Sequence, residues 1–81
     1  MRATILELIE SRGITRFRLG RLIGITDASK MGWMYEILNG LRPVSYRALC
    51  RMLVGLNQAR PLTESEVDQI VRALLEAGDE S

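Results

Sequence analysis

The chain has 81 residues, of which 47% are hydrophobic but only 5% aromatic, and its net charge is +1. That length allows a single domain, residues 1–81, around one small aliphatic core. One cysteine, Cys50, and no histidine exclude an internal disulfide and argue against a zinc site.

Aromatic and β-branched residues do not cluster in alternating runs, so strands are poorly supported and an all-α bundle of about five short helices is expected. No apolar run approaches the roughly 20 residues of a membrane span, and the N-terminus lacks a signal-peptide core. A cytoplasmic protein is therefore expected. The near-zero charge hides a segregation. Residues 1–60 carry ten basic and four acidic groups, a net +6, whereas residues 61–81 carry one basic and six acidic groups, a net −5. Such asymmetry predicts that one part faces a polyanion and the other does not. The alternative is solvated helix faces beside an acid-rich last helix.

The first helix is predicted from about Arg2 to Arg12. Ile5, Leu6, Leu8 and Ile9 give it an apolar stripe, Gly13 stops it, and Ile14 plugs the core. Thr15 then suits the N-cap of a second helix, Arg16 to Ile23, whose Leu19, Leu22 and Ile23 share one face. Gly20 in mid-helix costs roughly 1 kcal/mol against alanine, which makes sense where a second helix crosses closely. Phe17 reads either as a half-buried cover for the first helix or as a partner contact. Gly24 supplies the left-handed residue that ends the second helix, with Ile25 as its hydrophobic contact.

Thr26, Asp27 and Ser29 are N-cap candidates for a third helix that runs to about Asn39 and is closed by Gly40. Projected at about 100° per residue, Met31, Met34, Ile37, Leu38 and Leu41 form a core stripe. Ser29, Gly32, Glu36 and Asn39 lie opposite, with Trp33 and Tyr35 on the flanks. Gly32 would suit either close approach to a ligand or a hinge. Trp33 reads either as buried or as a surface contact, and Tyr35 either borders the core or reaches a phosphate.

Two helices joined by a glycine turn are the geometry that places one helix in the DNA major groove. Thr15, Leu19, Gly20, Gly24, Ile25 and Thr26 resemble the helix-turn-helix of the lambda-repressor and Cro-like DNA-binding domains. Ile37, Asn39, Gly40, Arg42, Pro43, Ser45 and Leu49 resemble that family's third-to-fourth helix passage. The likeness covers about Ile5 to Leu56. One departure is that the stretch from Gly24 to Gly40 is a few residues longer than the family's, an excess placed in the turn or at the front of the third helix. The resemblance implies phosphate contacts for Arg16, at the start of the second helix, and for Arg42, Ser45, Tyr46 and Arg47 around the start of the fourth. Arg18 joins this set on charge, and Arg16 also stands at a helix N-terminus, where free N–H groups attract anions. Ser29, Lys30, Trp33, Tyr35 and Asn39 are the base-reading candidates. Asn39 suits adenine, and Ser29 several bases. Arg16 is expected to act on all sequences alike, and Asn39 and Ser29 to set sequence preference.

Pro43 and Ser45 open a fourth helix, with Leu49, Met52, Leu53 and Leu56 on its core face. Cys50 reads as a buried small hydrophobe. Asn57 to Leu62 is expected to be a linker. A fifth helix starts at Thr63 with the capping box Thr63 and Glu66, and Gly78 ends it, leaving Asp79 to Ser81 to fray. Val67, Ile70, Val71 and Leu74, extended by Leu75, form an apolar face that either closes the core or joins a second copy. The resemblance favours a homodimer reading two half-sites.

The expected function is a sequence-specific DNA-binding transcriptional regulator, a small dimeric repressor acting on double-stranded DNA without a cofactor. The alternative is a helix-turn-helix module for a protein partner, such as an inhibitor or antitoxin, using Trp33, Met31, Tyr35 and Phe17 as one contact surface. An enzyme is not expected, because no nucleophile–base pair and no phosphate-cradling glycine loop are present.

Overall fold

A computed structural model describes the backbone of residues 1–80 and the side chains of residues 1–76. Its regular elements are all helical: α1 (Arg2–Ser11), α2 (Arg16–Leu22), a single 3-10 turn (Ala28–Lys30), α3 (Gly32–Leu38), α4 (Tyr46–Ala59) and α5 (Glu64–Glu80). The all-α bundle of five short helices expected from composition is what the chain forms.

Local chemistry sets most of the boundaries. Thr15 accepts the Arg18 N–H at 3.0 Å and starts α2. Ser45 accepts the Ala48 N–H at 3.1 Å and starts α4. At α5 the capping box closes in both directions. Thr63 Oγ1 accepts the Glu66 N–H at 3.1 Å, and Glu66 Oε1 accepts the Thr63 N–H at 3.0 Å. Each cap satisfies a first-turn N–H that has no partner within the helix. Gly24 ends α2 at φ 94°, so that its own N–H reaches Arg21 O and the Ile25 N–H reaches Gly20 O. Gly40 ends α3 in the same way, at φ 79°. Any residue with a Cβ is strained in this left-handed region.

Ile5, Leu8 and Ile9 of α1, Leu19 of α2, Met34, Ile37 and Leu38 of α3, Leu49, Met52 and Leu56 of α4 and Ile70 of α5 form one buried cluster. Burial of each such side chain stabilises the fold by about 1.5–3 kcal/mol. Helix α2 lies against α4 at Gly55. A methyl group at Gly55 would stand 2.5 Å from Ile23 Cγ2, and one at Gly20 would stand 2.7 Å from Met31 Cε. The atoms nearest Gly20 belong to the buried Met31 side chain, between the 3-10 turn and α3, and not to a second helix as expected.

Six further details differ from the sequence reading. Helix α2 stops at Leu22, with Ile23 as its C-cap. The third helix is shorter than expected, because the Asp27 side chain accepts the Ser29 N–H and caps a 3-10 turn instead of the helix itself. Leu41 is 78% exposed, because the chain has left α3 at Gly40 before a further core-facing position is reached. Cys50 is exposed, on the outer side of α4. Asn57 to Ala59 belong to α4, and Asn57 Oδ1 accepts the Leu62 N–H, so the connection is shorter than the expected linker. Helix α5 continues past Gly78 to Glu80. Of the residues expected to fray, Asp79 and Glu80 lie in this helix, and Ser81 lies outside the described residues. No helix among the described residues is long and apolar enough to cross a membrane.

Candidate nucleic-acid interface

The exposed side of α3 is framed by residues from three other places in the chain. Gly32 and Asn39 are exposed along it, and Glu36 lies half-buried between them. A methyl group built at Gly32 would touch nothing within 4 Å, so the surface above it is open. At the C-terminal end, Arg16 Nη1 donates to Asn39 Oδ1. Beside it, Arg2 Nη1 donates to Leu38 O at 3.2 Å. Both cations thus stand at the end of α3 where carbonyl groups give a partial negative charge. Arg42, in the connection to α4, reaches back to Glu36 with Nη2 2.7 Å from Oε2. That pair neutralises the one acidic side chain on this face.

The flank toward α4 carries further cations. The Arg51 guanidinium lies over the Trp33 ring, 5.1 Å from its centroid. Trp33, Ile37 and Ala48 floor a shallow depression rimmed by Arg42, Arg47 and Arg51. A second depression, on the other side of Trp33, is lined by Thr26, Lys30 and Arg51. Trp33 is neither buried nor free. It is half-buried against the core cluster, with one face covered by a cation.

The predicted phosphate residues are distributed on both sides of α3. Arg16 and Arg18 occupy the first turn of α2, Arg42 lies in the loop, and Ser45, Tyr46 and Arg47 open α4. Arg18, Arg42, Ser45, Tyr46 and Arg47 are exposed, whereas Arg16 is half-buried. Ser45 Oγ accepts the Ala48 N–H and keeps its own proton to donate.

The base-reading candidates do not stay together. Ser29 and Lys30 lie on the 3-10 turn and not on α3. Asp27, next to Ser29, has its carboxyl held below the usual range, chiefly by the Ser29 backbone N–H and then by the Ser29 side chain, and so keeps a negative charge at that turn. Tyr35 is turned away from the exposed face: its hydroxyl lies 3.7 Å from Met31 Sδ. Trp33 lies on the flank, and Asn39 stays at the exposed end of α3 as its C-cap.

Three arginines counted toward a polyanion face serve the framework. Arg12 has no exposed side-chain surface and binds Glu66. Arg2 holds the end of α3. Arg60 lies 3.8 Å from Glu66. In the other direction, Arg51 had no assigned role in the sequence reading. Its signal was the spacing from Arg47, since residues four apart share a helix face.

Met31 is wholly buried, so the contact surface of Trp33, Met31, Tyr35 and Phe17 does not form as a unit. Phe17 is 46% exposed, with the Arg21 guanidinium 5.9 Å from its ring centroid. On α5, Ile70 is buried, whereas Val67, Val71, Leu74 and Leu75 are exposed at 44, 46, 39 and 65%. Half of that helix's apolar face is therefore uncovered in the single chain.

Family models, characterised proteins and solved structures contain no match to this chain.

Proposed function

We propose that this chain is a small DNA-binding transcriptional regulator that sets the exposed face of α3 in the major groove of double-stranded DNA. The observation that carries the reading is the pair of arginines held against that face, Arg16 on Asn39 and Arg42 on Glu36. A short helix presented outward beside cations that could reach phosphates is what groove insertion requires. Arg18, Ser45, Tyr46 and Arg47 extend the cationic and polar frame on either side. Arginine suits this work because its planar fork pairs with phosphates and with guanine edges.

A second copy completes the reading. The uncovered strip of Val67, Val71, Leu74 and Leu75 on α5 supplies a surface for a homodimer. Two copies would place two α3 helices on half-sites about one helical turn apart. Such a dimer would repress by occupying a promoter, in the cytoplasm where the DNA lies. The resemblance to lambda-repressor and Cro-like domains supports the same conclusion.

Titration of labelled duplex DNA from just upstream of the chain's own reading frame tests it, with a random duplex as control and two salt concentrations. Tight, sequence-dependent binding that weakens steeply with salt is expected, because the phosphate contribution comes from counterion release. Trp33 emission should change in parallel. Weak binding, equal on both duplexes, would count against a regulator acting at its own promoter.

A further inference from the structure

Phosphate binding by Arg16 and base reading by Asn39 were expected to be separate tasks. The two side chains are in fact joined. Arg16 is the first residue of α2, Asn39 is the C-cap of α3, and Arg16 Nη1 donates to Asn39 Oδ1 across the helix pair. A guanidinium can only donate, so the end of the amide that faces it must be the carbonyl oxygen. This fixes the orientation of an amide whose two ends are otherwise hard to tell apart. The amide nitrogen of Asn39, with its two hydrogens, is the end left for a ligand, and Asn39 itself is exposed.

We propose that Arg16 is a positioning residue for Asn39, and that the two act as one specificity element. Arg16 occupies one lone pair of the carbonyl and draws that end toward α2, so that Asn39 presents its two amide N–H groups to the groove. Asn39 then selects a base for its acceptors, guanine N7 and O6 or thymine O4. Adenine is disfavoured, because its N7 offers one acceptor only and its amino group would need the carbonyl that Arg16 draws away. Arg16 thereby influences sequence preference without touching a base, while its remaining N–H groups stay available to a phosphate. This inference rests on the DNA-binding reading above.

The test is selection from a random-sequence duplex library by the intact chain, by Arg16→Ala, by Asn39→Ala and by the double variant. The intact chain should enrich a motif with a guanine or thymine at one position, discriminated by roughly tenfold or more. Arg16→Ala and Asn39→Ala should relax that same position, and the double variant should relax it no further than either alone. Arg16→Lys, which keeps the charge but not the planar fork, should retain affinity better than Arg16→Ala and still relax the position. Thermal melts of each variant separate such effects from unfolding, and Arg16→Lys carries the test if Arg16→Ala does not fold. A motif that the Arg16 variants keep, that Asn39→Ala leaves unchanged, or that shows adenine at the shared position would overturn the inference and leave DNA binding standing. Enrichment of no motif by the intact chain, together with no salt-sensitive retention of duplex, would overturn both.

Discussion

Arg12 and Glu66 are joined by two parallel contacts, Nη1 to Oε2 at 2.7 Å and Nη2 to Oε1 at 3.0 Å. The pair ties the end of α1 to the first turn of α5. The same guanidinium donates to Leu56 O at 2.9 Å and, through Nη2, to Arg60 O at 2.9 Å, so it also satisfies carbonyls at the end of α4. Three helices therefore meet on one side chain. Arg12→Ala would leave the Glu66 carboxylate without its guanidinium and take a donor from Leu56 O and Arg60 O. Loss of one partner from a buried pair costs about 3–5 kcal/mol. Because Glu66 keeps 13% of its side-chain surface, we expect about 2–4 kcal/mol, read from denaturant titration. A loss below about 0.5 kcal/mol, the usual range for an exposed substitution, would show that the pair is not a structural anchor.

The same pair sets an acid limit. The Glu66 carboxyl is held at about 2, below its ordinary 4.5, first by the Arg12 hydrogen bond and then by the Thr63 N–H. A depressed carboxyl pKa stabilises the folded chain above the unfolded value, and the contribution disappears as pH falls through the folded one. Stability should therefore decline between pH 4.5 and about 2, with Glu66 responsible for on the order of 2 kcal/mol. Glu66→Gln should flatten the decline in that window. Parallel pH curves for the two proteins would contradict the assignment.

Gly55 and Gly20 separate two kinds of close packing. In both places alanine would gain about 1 kcal/mol of helix propensity. At Gly55 the new methyl group would meet Ile23 Cγ2 at 2.5 Å and Leu19 Cδ1 at 2.9 Å, on branched side chains of α2 and its C-cap. At Gly20 it would meet the flexible end of Met31. Overpacking costs about 1–3 kcal/mol where neighbours cannot move. Gly55→Ala should therefore destabilise by about 1–2 kcal/mol, and Gly20→Ala by distinctly less, as thermal melts would show. The reverse order would mean that α2 can shift on α4.

These contacts mark the limit of what the sequence disclosed. Thr15, Gly24, Ser45 and the Thr63–Glu66 box act on residues at most five positions away, so their roles were legible from spacing. The core stripes of α1, α3 and α4 were legible from helical period, apart from Leu41. Partners distant in sequence were not. Arg12 is 54 positions from Glu66, and Arg16 is 23 from Asn39. No local pattern shows that these arginines turn toward the protein. The start of α3 was missed for a different reason. Thr26, Asp27 and Ser29 all suit caps, and the short Asp27–Ser29 bond selects a 3-10 turn before a helix can begin.

Glu36 and Arg42 offer a test of electrostatics on the proposed DNA face. Their ion pair is about half exposed, 54% for Arg42 and 46% for Glu36, so it adds little to stability. Glu36→Gln removes a charge that repels phosphate and frees Arg42. Affinity for both specific and random duplex should rise a few-fold. The slope of log K against log salt should steepen by up to about 0.9, the value for one added phosphate contact. Unchanged affinity and slope, measured by anisotropy across salt concentrations, would place Arg42 away from the DNA backbone.

The uncovered strip on α5 predicts self-association. Val71 and Leu74 are exposed at 46% and 39%, so Val71→Asp and Leu74→Asp should leave the single chain folded. The intact chain should sediment as a dimer at micromolar or higher concentration, and each variant as a monomer with weaker DNA binding. A monomeric intact chain at the concentration of an NMR sample would remove the dimer from the account.

The most direct test of the central claim is an NMR titration of the isotopically labelled chain with duplex DNA, following backbone amides. The account predicts that the largest shifts fall on Arg16, Gly32, Glu36, Asn39, Arg42 and Arg47, on and beside the exposed face of α3. The acidic helix α5 should move little. Shifts concentrated on α5, or spread evenly over the chain without a maximum at α3, would contradict groove insertion by this helix.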